Sequence, residues 1–196
     1  MKRDELRSLL LEAPYDALVL TSEISRRYAT GFHSTAGAVY LSAKQAVFYT
    51  DFRYVEAARA AIGDFEVREI SGKSYTAAIN ELIEQDGVKK VALEDRTLTY
   101  AEYMAWASAL HATAVRLEDG VERLRICKED GEVGKIVAAQ RIAEQALEEV
   151  LNDIKVGVTE KEIAARLTYL MLHYGAENMS FDPIVVSGAN SSKPHG

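Results

Sequence analysis

Short apolar runs alternate with helical patterns between residues 6 and 117. Runs of about four to eight apolar and β-branched residues favour strands, whereas apolar residues that recur every three or four positions favour helices. This alternation predicts an α/β layer structure. The predicted strands cover residues 17–20, 38–41, 46–49, 65–70, 91–94 and 113–117.

Local signals refine this prediction. Only residues 42–45 separate the second and third predicted strands, and a connection of that length joins antiparallel strands in a hairpin. The sheet is therefore expected to be mixed. Asp51 is placed to cap a helix that runs through Ala58, and Thr99 with Glu102 has the spacing of a capping box. In such a box two side chains satisfy free backbone donors at the helix start.

The pattern becomes helical beyond residue 126. A first helix is predicted to begin near Glu129, and a second near Thr159, which forms another capping-box pattern with Glu162. Gly175 is expected to end the second helix. In the first helix and just beyond it, one face carries the apolar residues Val133, Ile136, Ala143, Leu147, Val150 and Ile154.

A β-branched run at residues 184–186 predicts one more strand, which no later strand in the sequence could pair with. A sheet domain is thus expected to be cut in the middle. We predict a first domain at residues 1–118, a linker at 119–127 and an incomplete second domain at 128–196.

Composition and charge narrow the possible functions. Hydrophobic residues make up 48% of the 196 residues and charged residues 27%, which is ample apolar material for a packed core. The formal net charge of -7 would repel a phosphate backbone, so no nucleic acid is expected as a partner. No signal peptide and no membrane-spanning run is evident. Cys127 is the only cysteine, which favours a reducing, cytoplasmic compartment.

The carboxyl-terminal part of the sequence carries the most specific motifs. Residues 155–164, 175–176 and 180–191, followed by Pro194-His195-Gly196, resemble the start of the catalytic domain of the prolidase and aminopeptidase P family. Residues 28–32 and 50–58 resemble parts of that family's amino-terminal domain. The resemblance therefore extends over nearly the whole chain.

This resemblance implies a two-domain cytosolic metallopeptidase of family M24. The first domain would be a creatinase-like, mixed-sheet α/β domain, and the second the incomplete first part of a pita-bread α+β domain. In the family that second domain encloses two divalent metal ions, manganese, cobalt or zinc. The implied substrates are proline-containing peptides, which members split as Xaa-Pro dipeptidases or aminopeptidases, and a homodimer is implied as well.

The family's five metal ligands are two aspartates, a histidine and two glutamates, and all of them lie downstream of the Pro-His-Gly motif. No metal ligand and no cofactor is therefore expected in this chain, and the 196-residue protein is expected to be inactive. A longer form that includes those ligands would be the active one.

Two histidines are candidate site residues. His195 is the catalytic candidate, because in similar enzymes the histidine of this motif contacts substrate, and an imidazole can donate a hydrogen bond or move a proton near neutral pH. The alternative is a loop histidine that happens to follow proline. His33 lies in the predicted loop 31–37. A corresponding loop leans toward the other subunit's active site in dimers of the family, which implies substrate binding; an ordinary exposed loop residue is the other interpretation.

The remaining candidates favour structural roles. His111 and His173 lie in predicted helices without a partner at metal-ligand spacing. No Gly-x-Ser-x-Gly motif surrounds the serines near the end of the chain, and Cys127 has no nearby histidine in the sequence.

Three functions stay open on the sequence alone. Metal-dependent hydrolysis of Xaa-Pro peptides is the leading hypothesis. A creatinase-like amidinohydrolase shares both domains and uses no metal, so metal ligands downstream of Gly196 would distinguish the two. A non-catalytic homologue or oligomerisation module would keep the scaffold without the site.

Overall fold

Six strands form one mixed sheet in the first of two units into which the chain divides, Met1–Cys127 and Lys128–Gly196. The computed structural model describes residues 2–12 and 14–194. The strand order across the sheet is β4-β3-β2-β1-β5-β6. The strands are β1 (Ala17–Leu20), β2 (Ala38–Ser42), β3 (Ala46–Thr50), β4 (Glu66–Glu69), β5 (Lys90–Leu93) and β6 (Thr113–Arg116).

Pairing directions follow the connections between the strands. β2 runs antiparallel to β1 and β3, as the short connection at residues 42–45 predicts. The pairs β3 with β4, β1 with β5 and β5 with β6 are parallel, and a helix lies between the members of the first and last of these pairs. The predicted mixed-sheet α/β fold is therefore confirmed.

Helices cover both faces of this sheet. Alternate residues of a strand point to opposite faces. Leu18 and Leu20 accordingly lie in one core and Ala17 and Val19 in another. The first core includes α1 (Lys2–Glu12), α2 (Glu23–Thr30), α3 (Val55–Ala61) and α6 (Gly120–Leu124), and the second includes α4 (Tyr75–Asp86) and α5 (Tyr100–Ala109). Because the central strands are buried on both faces, their sequences are continuous apolar runs.

Of the two helix caps predicted for this unit, the structure contains one and lacks the other. Thr99 and Glu102 form the predicted capping box of α5. Asp51 does not cap α3 with its side chain, because Tyr54 is the N-cap residue. The Asp51 carboxylate instead accepts a hydrogen bond from the Arg53 backbone amide at 3.0 Å and pairs with the Arg53 guanidinium at 2.7 Å. Asp51 lies too far before the helix for its side chain to reach the helix donors.

A short helix, α6, lies at Gly120–Leu124 within the segment 119–127, where the sequence predicts a linker. Its Val121 is only 2% exposed and packs in the same core as Leu9 and Leu117. Burial of these side chains makes the segment a packed part of the first unit, which extends to Cys127.

Two helices, α7 (Asp130–Val150) and α8 (Glu160–His173), make up most of the second unit's regular structure. Their N-cap residues are Glu129 and Thr159, as predicted. The core between these helices contains Ala146, Val150 and Leu170. It is narrower than the apolar face predicted from the sequence: half-exposed side chains of that face are Val133, Ile136, Leu147 and Ile154.

The predicted strand at residues 184–186 is wrong for this structure. These residues have no regular secondary structure, and the described part of the second unit, residues 128–194, contains no strand. β-Branched residues form a strand only where a neighbouring strand supplies hydrogen bonds and a packing surface. Such a neighbour is missing from this part of the chain.

Candidate functional site

One carboxylate joins the first turn of α8 to the loop at residues 187–194. Glu160 Oε1 accepts hydrogen bonds from the backbone amide of Ser187 at 2.6 Å and from its hydroxyl at 3.3 Å. The side-chain amide of Asn190 donates to both oxygens of Glu160, at 3.3 and 3.2 Å. Glu160 therefore holds the loop at two points, and this loop leads to the Pro-His-Gly motif.

The local sequence explains why the Glu160 side chain is available to the loop. Thr159 Oγ1 accepts a hydrogen bond from the Glu162 amide at 3.3 Å, and the Glu162 carboxylate accepts one from the Thr159 amide at 2.8 Å. This capping box satisfies donors at the helix start without Glu160. The loop itself forms a short 3₁₀ helix, Gly188–Ser192, which begins at a φ of 51° that glycine adopts without strain.

A shallow groove lies beside this junction. Glu160, Lys161 and Ala164 of α8 line one side, and residues 182–186 line the other. Its volume is about 280 Å³, slightly below the range of roughly 300–1,000 Å³ that is typical of ligand pockets. The groove is open to solvent rather than an enclosed pocket.

The loop lowers the pKa of Glu160 below its ordinary value of 4.5. The largest cause is the hydrogen bond from the Ser187 backbone amide, followed by the hydrogen bond from Asn190, and the positive charge of Lys193 adds a smaller effect. Hydrogen bonds to a carboxylate favour its ionised form. A lowered folded pKa means that ionised Glu160 stabilises the junction above pH 4.5, and that this stabilisation is lost as the pH falls through the folded pKa.

Acidification should therefore release the loop from α8. In a titration from about pH 6 to about pH 2, the NMR signal of the Ser187 amide should shift with a midpoint below 4.5, because protonated Glu160 is a weaker acceptor. Besides Glu160, the charged side chains that line the groove are Lys161 and Asp182, and the positive charge of Lys193 also acts on Glu160. Glu160→Gln serves as the control, since it removes the titrating group. An identical Ser187 titration in that variant would assign the shift to another carboxylate.

His195, the predicted catalytic residue, lies outside the described residues, and so does Gly196. Pro194 is the last residue that the structure describes, and its side chain is exposed. The catalytic assignment of His195 stays a prediction.

His33 lies in the loop that follows α2, with 57% of its side chain exposed. Its Nε2 atom is 2.7 Å from Glu23 Oε1. Exposure leaves His33 accessible to a ligand or a partner, and its assignment to substrate binding stays a prediction.

A buried arginine holds the loop that carries His33. Arg26 is 5% exposed, and its Nη1 atom donates to the carbonyl oxygens of Thr21 and Gly37, both at 2.7 Å. Its Nη2 atom donates to the carbonyl oxygen of Ser34 at 2.7 Å. Three charge-assisted hydrogen bonds to backbone oxygens give this loop a defined shape.

His111, His173 and Cys127 lie apart from the Glu160 junction. His111 lies just after α5, not within the predicted helix, and its Nδ1 atom is 2.8 Å from Glu84 Oε1. His173 stacks on Tyr169 near the end of α8, with 5.6 Å between the ring centroids. Cys127 is exposed. Across residues 2–12 and 14–194, no three His, Cys, Asp or Glu side chains are grouped to hold a metal ion.

Glu160 is the site residue that the sequence did not single out. The motif Thr159-Glu160-Lys161-Glu162 contains two glutamates, whereas a capping box needs only the one at Glu162. Glu160, the glutamate that the capping box does not need, was the feature of the sequence that could have indicated this contact. Its contact with Ser187, 27 positions along the chain, is visible only in the folded structure.

No helix in the described part of the chain is both long and apolar enough to cross a lipid bilayer.

Comparisons with known proteins agree with the two-unit organisation. The family model of the Creatinase/Prolidase N-terminal domain matches residues 2–127, and that of metallopeptidase family M24 matches residues 134–196. The uncharacterized peptidase YqhT of Bacillus subtilis is 36% identical over 197 residues, covering 100% of this chain and 56% of that protein. A putative Xaa-Pro aminopeptidase of Mycoplasma pneumoniae is 31% identical, covering 97% of this chain and 52% of that protein.

The chain is also similar to solved structures of Xaa-Pro peptidases. The Xaa-Pro dipeptidase from Bacillus anthracis has a TM-score of 0.91 and 40% identity, over 100% of this chain and 55% of its own. The X-Pro aminopeptidase from Thermotoga maritima has a TM-score of 0.88 and 32% identity, over 96% of this chain and 55% of its own. This chain thus spans about half the length of these relatives. The chain belongs to the prolidase and aminopeptidase P family, with a Creatinase/Prolidase N-terminal domain at residues 2–127 followed by a metallopeptidase family M24 match at residues 134–196.

Proposed function

We propose that a longer form of this protein is a metal-dependent peptidase that hydrolyses Xaa-Pro peptides, as a dipeptidase or an aminopeptidase. The observation that carries the proposal is the likeness of the whole chain, at 40% identity and a TM-score of 0.91, to the Xaa-Pro dipeptidase from Bacillus anthracis. Relatives named as Xaa-Pro aminopeptidases add support from sequence. The proposed substrates are proline-containing peptides, and the proposed compartment is the cytoplasm.

The proposal gives His195 the catalytic role at the substrate. Its imidazole would donate a hydrogen bond or a proton to the scissile group as charge develops there. His33 would line the substrate site from the first domain of the other subunit in a homodimer. Its exposed position on a loop held by Arg26 is compatible with that role.

Among the described residues, no three His, Cys, Asp or Glu side chains are grouped to hold a metal ion. Such a centre needs several carboxylates and a histidine that converge on one point. We propose that the two ions, manganese, cobalt or zinc, take their ligands from the part of the longer form that follows this chain.

Hydrolysis assays on a longer form test the proposal. We expect release of proline from an Xaa-Pro dipeptide, loss of activity after treatment with a chelator, and recovery on addition of a divalent metal. Hydrolysis of creatine that survives the chelator would instead favour the creatinase-like amidinohydrolase. A folded protein without either activity would favour a non-catalytic homologue.

The 196-residue chain by itself should bind no manganese tightly and should not cleave Xaa-Pro peptides. The physical reason is that residues 2–12 and 14–194 bring no three potential ligands together, and a divalent ion without convergent ligands keeps its water shell. Calorimetric titration of this chain with manganese should give only weak heats without a stoichiometric endpoint. The longer form titrated under the same conditions is the control, and one or two tightly bound ions per 196-residue chain would contradict the prediction.

A further inference from the structure

We infer that Glu160 is a positioning residue that holds the loop before His195 in place, an inference that rests on the catalytic role proposed for His195. Glu160 belongs to the first turn of α8, whereas the loop at residues 187–194 has no strand and no long helix of its own. Regular backbone hydrogen bonds stabilise the helix, whereas the loop depends on contacts with other residues to keep its conformation.

Hydrogen bonds connect Glu160 through Asn190 to Lys193, just before the Pro-His-Gly motif. Ser187 and Asn190 both donate hydrogen bonds to the Glu160 carboxylate. The backbone carbonyl of Asn190 then accepts a hydrogen bond from the Lys193 amide at 2.9 Å, and its side-chain oxygen accepts one from Lys193 Nζ at 3.3 Å. Fixing Asn190 therefore restrains Lys193, which precedes His195 by two positions in the sequence.

The chemistry of this junction favours a carboxylate. The Ser187 amide and the Asn190 side-chain amide both present N–H donors to position 160, and an ionised carboxylate only accepts hydrogen bonds. Glutamine would replace one of the two oxygens by an NH₂ donor, which cannot accept a bond from Asn190. The negative charge also lies at a helix N-terminus, where it is favoured.

Placement of a catalytic group matters because small displacements are costly. A misplacement of about 1 Å by a change far from the reacting atoms can lower a rate by about 10²-fold. Glu160 would act in this way through the loop, without touching substrate itself.

Amide hydrogen exchange in the 196-residue chain tests the anchoring directly. Glu160→Ala should raise the exchange rate of the Ser187 amide by roughly tenfold or more, because its acceptor is removed. Glu160→Gln should give an intermediate rate, since one acceptor oxygen remains. Glu162→Ala is the matched control: it weakens the start of the same helix and should speed exchange at the Thr159 amide, but not at Ser187. An unchanged Ser187 rate in both Glu160 variants would overturn the inference.

A double-mutant cycle in a longer, active form tests the consequence for His195. Glu160→Ala should lower the turnover number by about 10-fold or more with little change in the Michaelis constant, and it should lower it no further when His195 is already alanine. Equal losses in both backgrounds would show that Glu160 does not act through His195. If His195→Ala itself leaves turnover unchanged, the role proposed for His195 is wrong, while the exchange data still decide whether Glu160 anchors the loop.

Discussion

Replacement of His195 by alanine should lower the turnover number of a longer, active form of the protein by about 10² to 10⁴-fold, with little change in the Michaelis constant. An interaction that strengthens as charge develops on the scissile group stabilises the transition state more than the bound substrate. Its loss therefore slows the chemical step selectively. Other groups of the site would remain and leave a residual rate.

Steady-state kinetics on an Xaa-Pro dipeptide and on a longer Xaa-Pro peptide, together with thermal unfolding of the same preparations, separate catalysis from stability. The matched control is His111→Ala, which removes an exposed histidine that pairs with Glu84 in the first unit. A His195 variant with a shifted melting temperature and an unchanged turnover number per folded molecule would remove this residue from the catalytic assignment.

Replacement of Arg26 by alanine should destabilise the first unit by about 3–5 kcal/mol, because it leaves buried partners without their charged donor. The guanidinium donates to three backbone carbonyl oxygens, those of Thr21, Ser34 and Gly37. Two of these bonds are fully buried, so water cannot easily replace the donor. Arg26→Lys should recover only part of the loss, since an ammonium group lacks the planar fork.

The neighbouring arginine provides the control for this prediction. Arg27 lies on the same helix and is exposed, so Arg27→Ala should change the free energy of unfolding by less than about 0.5 kcal/mol. The fluorescence of Trp106, the only tryptophan of the chain, reports unfolding of the first unit in urea. Equal midpoints for the two alanine variants would show that the Arg26 hydrogen bonds contribute little.

The sequence predicted the structure correctly where the stabilising interactions join residues that are close together along the chain. The strand positions follow from apolar runs such as residues 17–20, and the connection at 42–45 determines that β2 and β3 are antiparallel. The capping boxes at Thr99 and Thr159 depend on residues three positions apart. These signals, with the resemblance carried by the motifs, were enough for the mixed-sheet fold and the family.

Other features depend on partners that are distant in the sequence. Val121 packs in the same core as Leu9 and Leu117, so part of the segment predicted as a linker forms a helix that is packed on the first unit. Residues 184–186 have the β-branched side chains of a strand, but no strand of the described second unit lies beside them.

The sequence by itself therefore determined the mixed sheet and most of the elements of the first unit, because periodicity, turn length and capping act over a few residues, and its motifs carried the resemblance to the family. Only the tertiary structure decided that Arg26 is buried beneath the loop of His33 and that Glu160 anchors the loop that leads to His195. Arginine and glutamate usually lie in solvent, and a local pattern cannot indicate which of them is an exception. That choice depends on which carbonyl and amide groups the fold brings within hydrogen-bonding distance of each side chain.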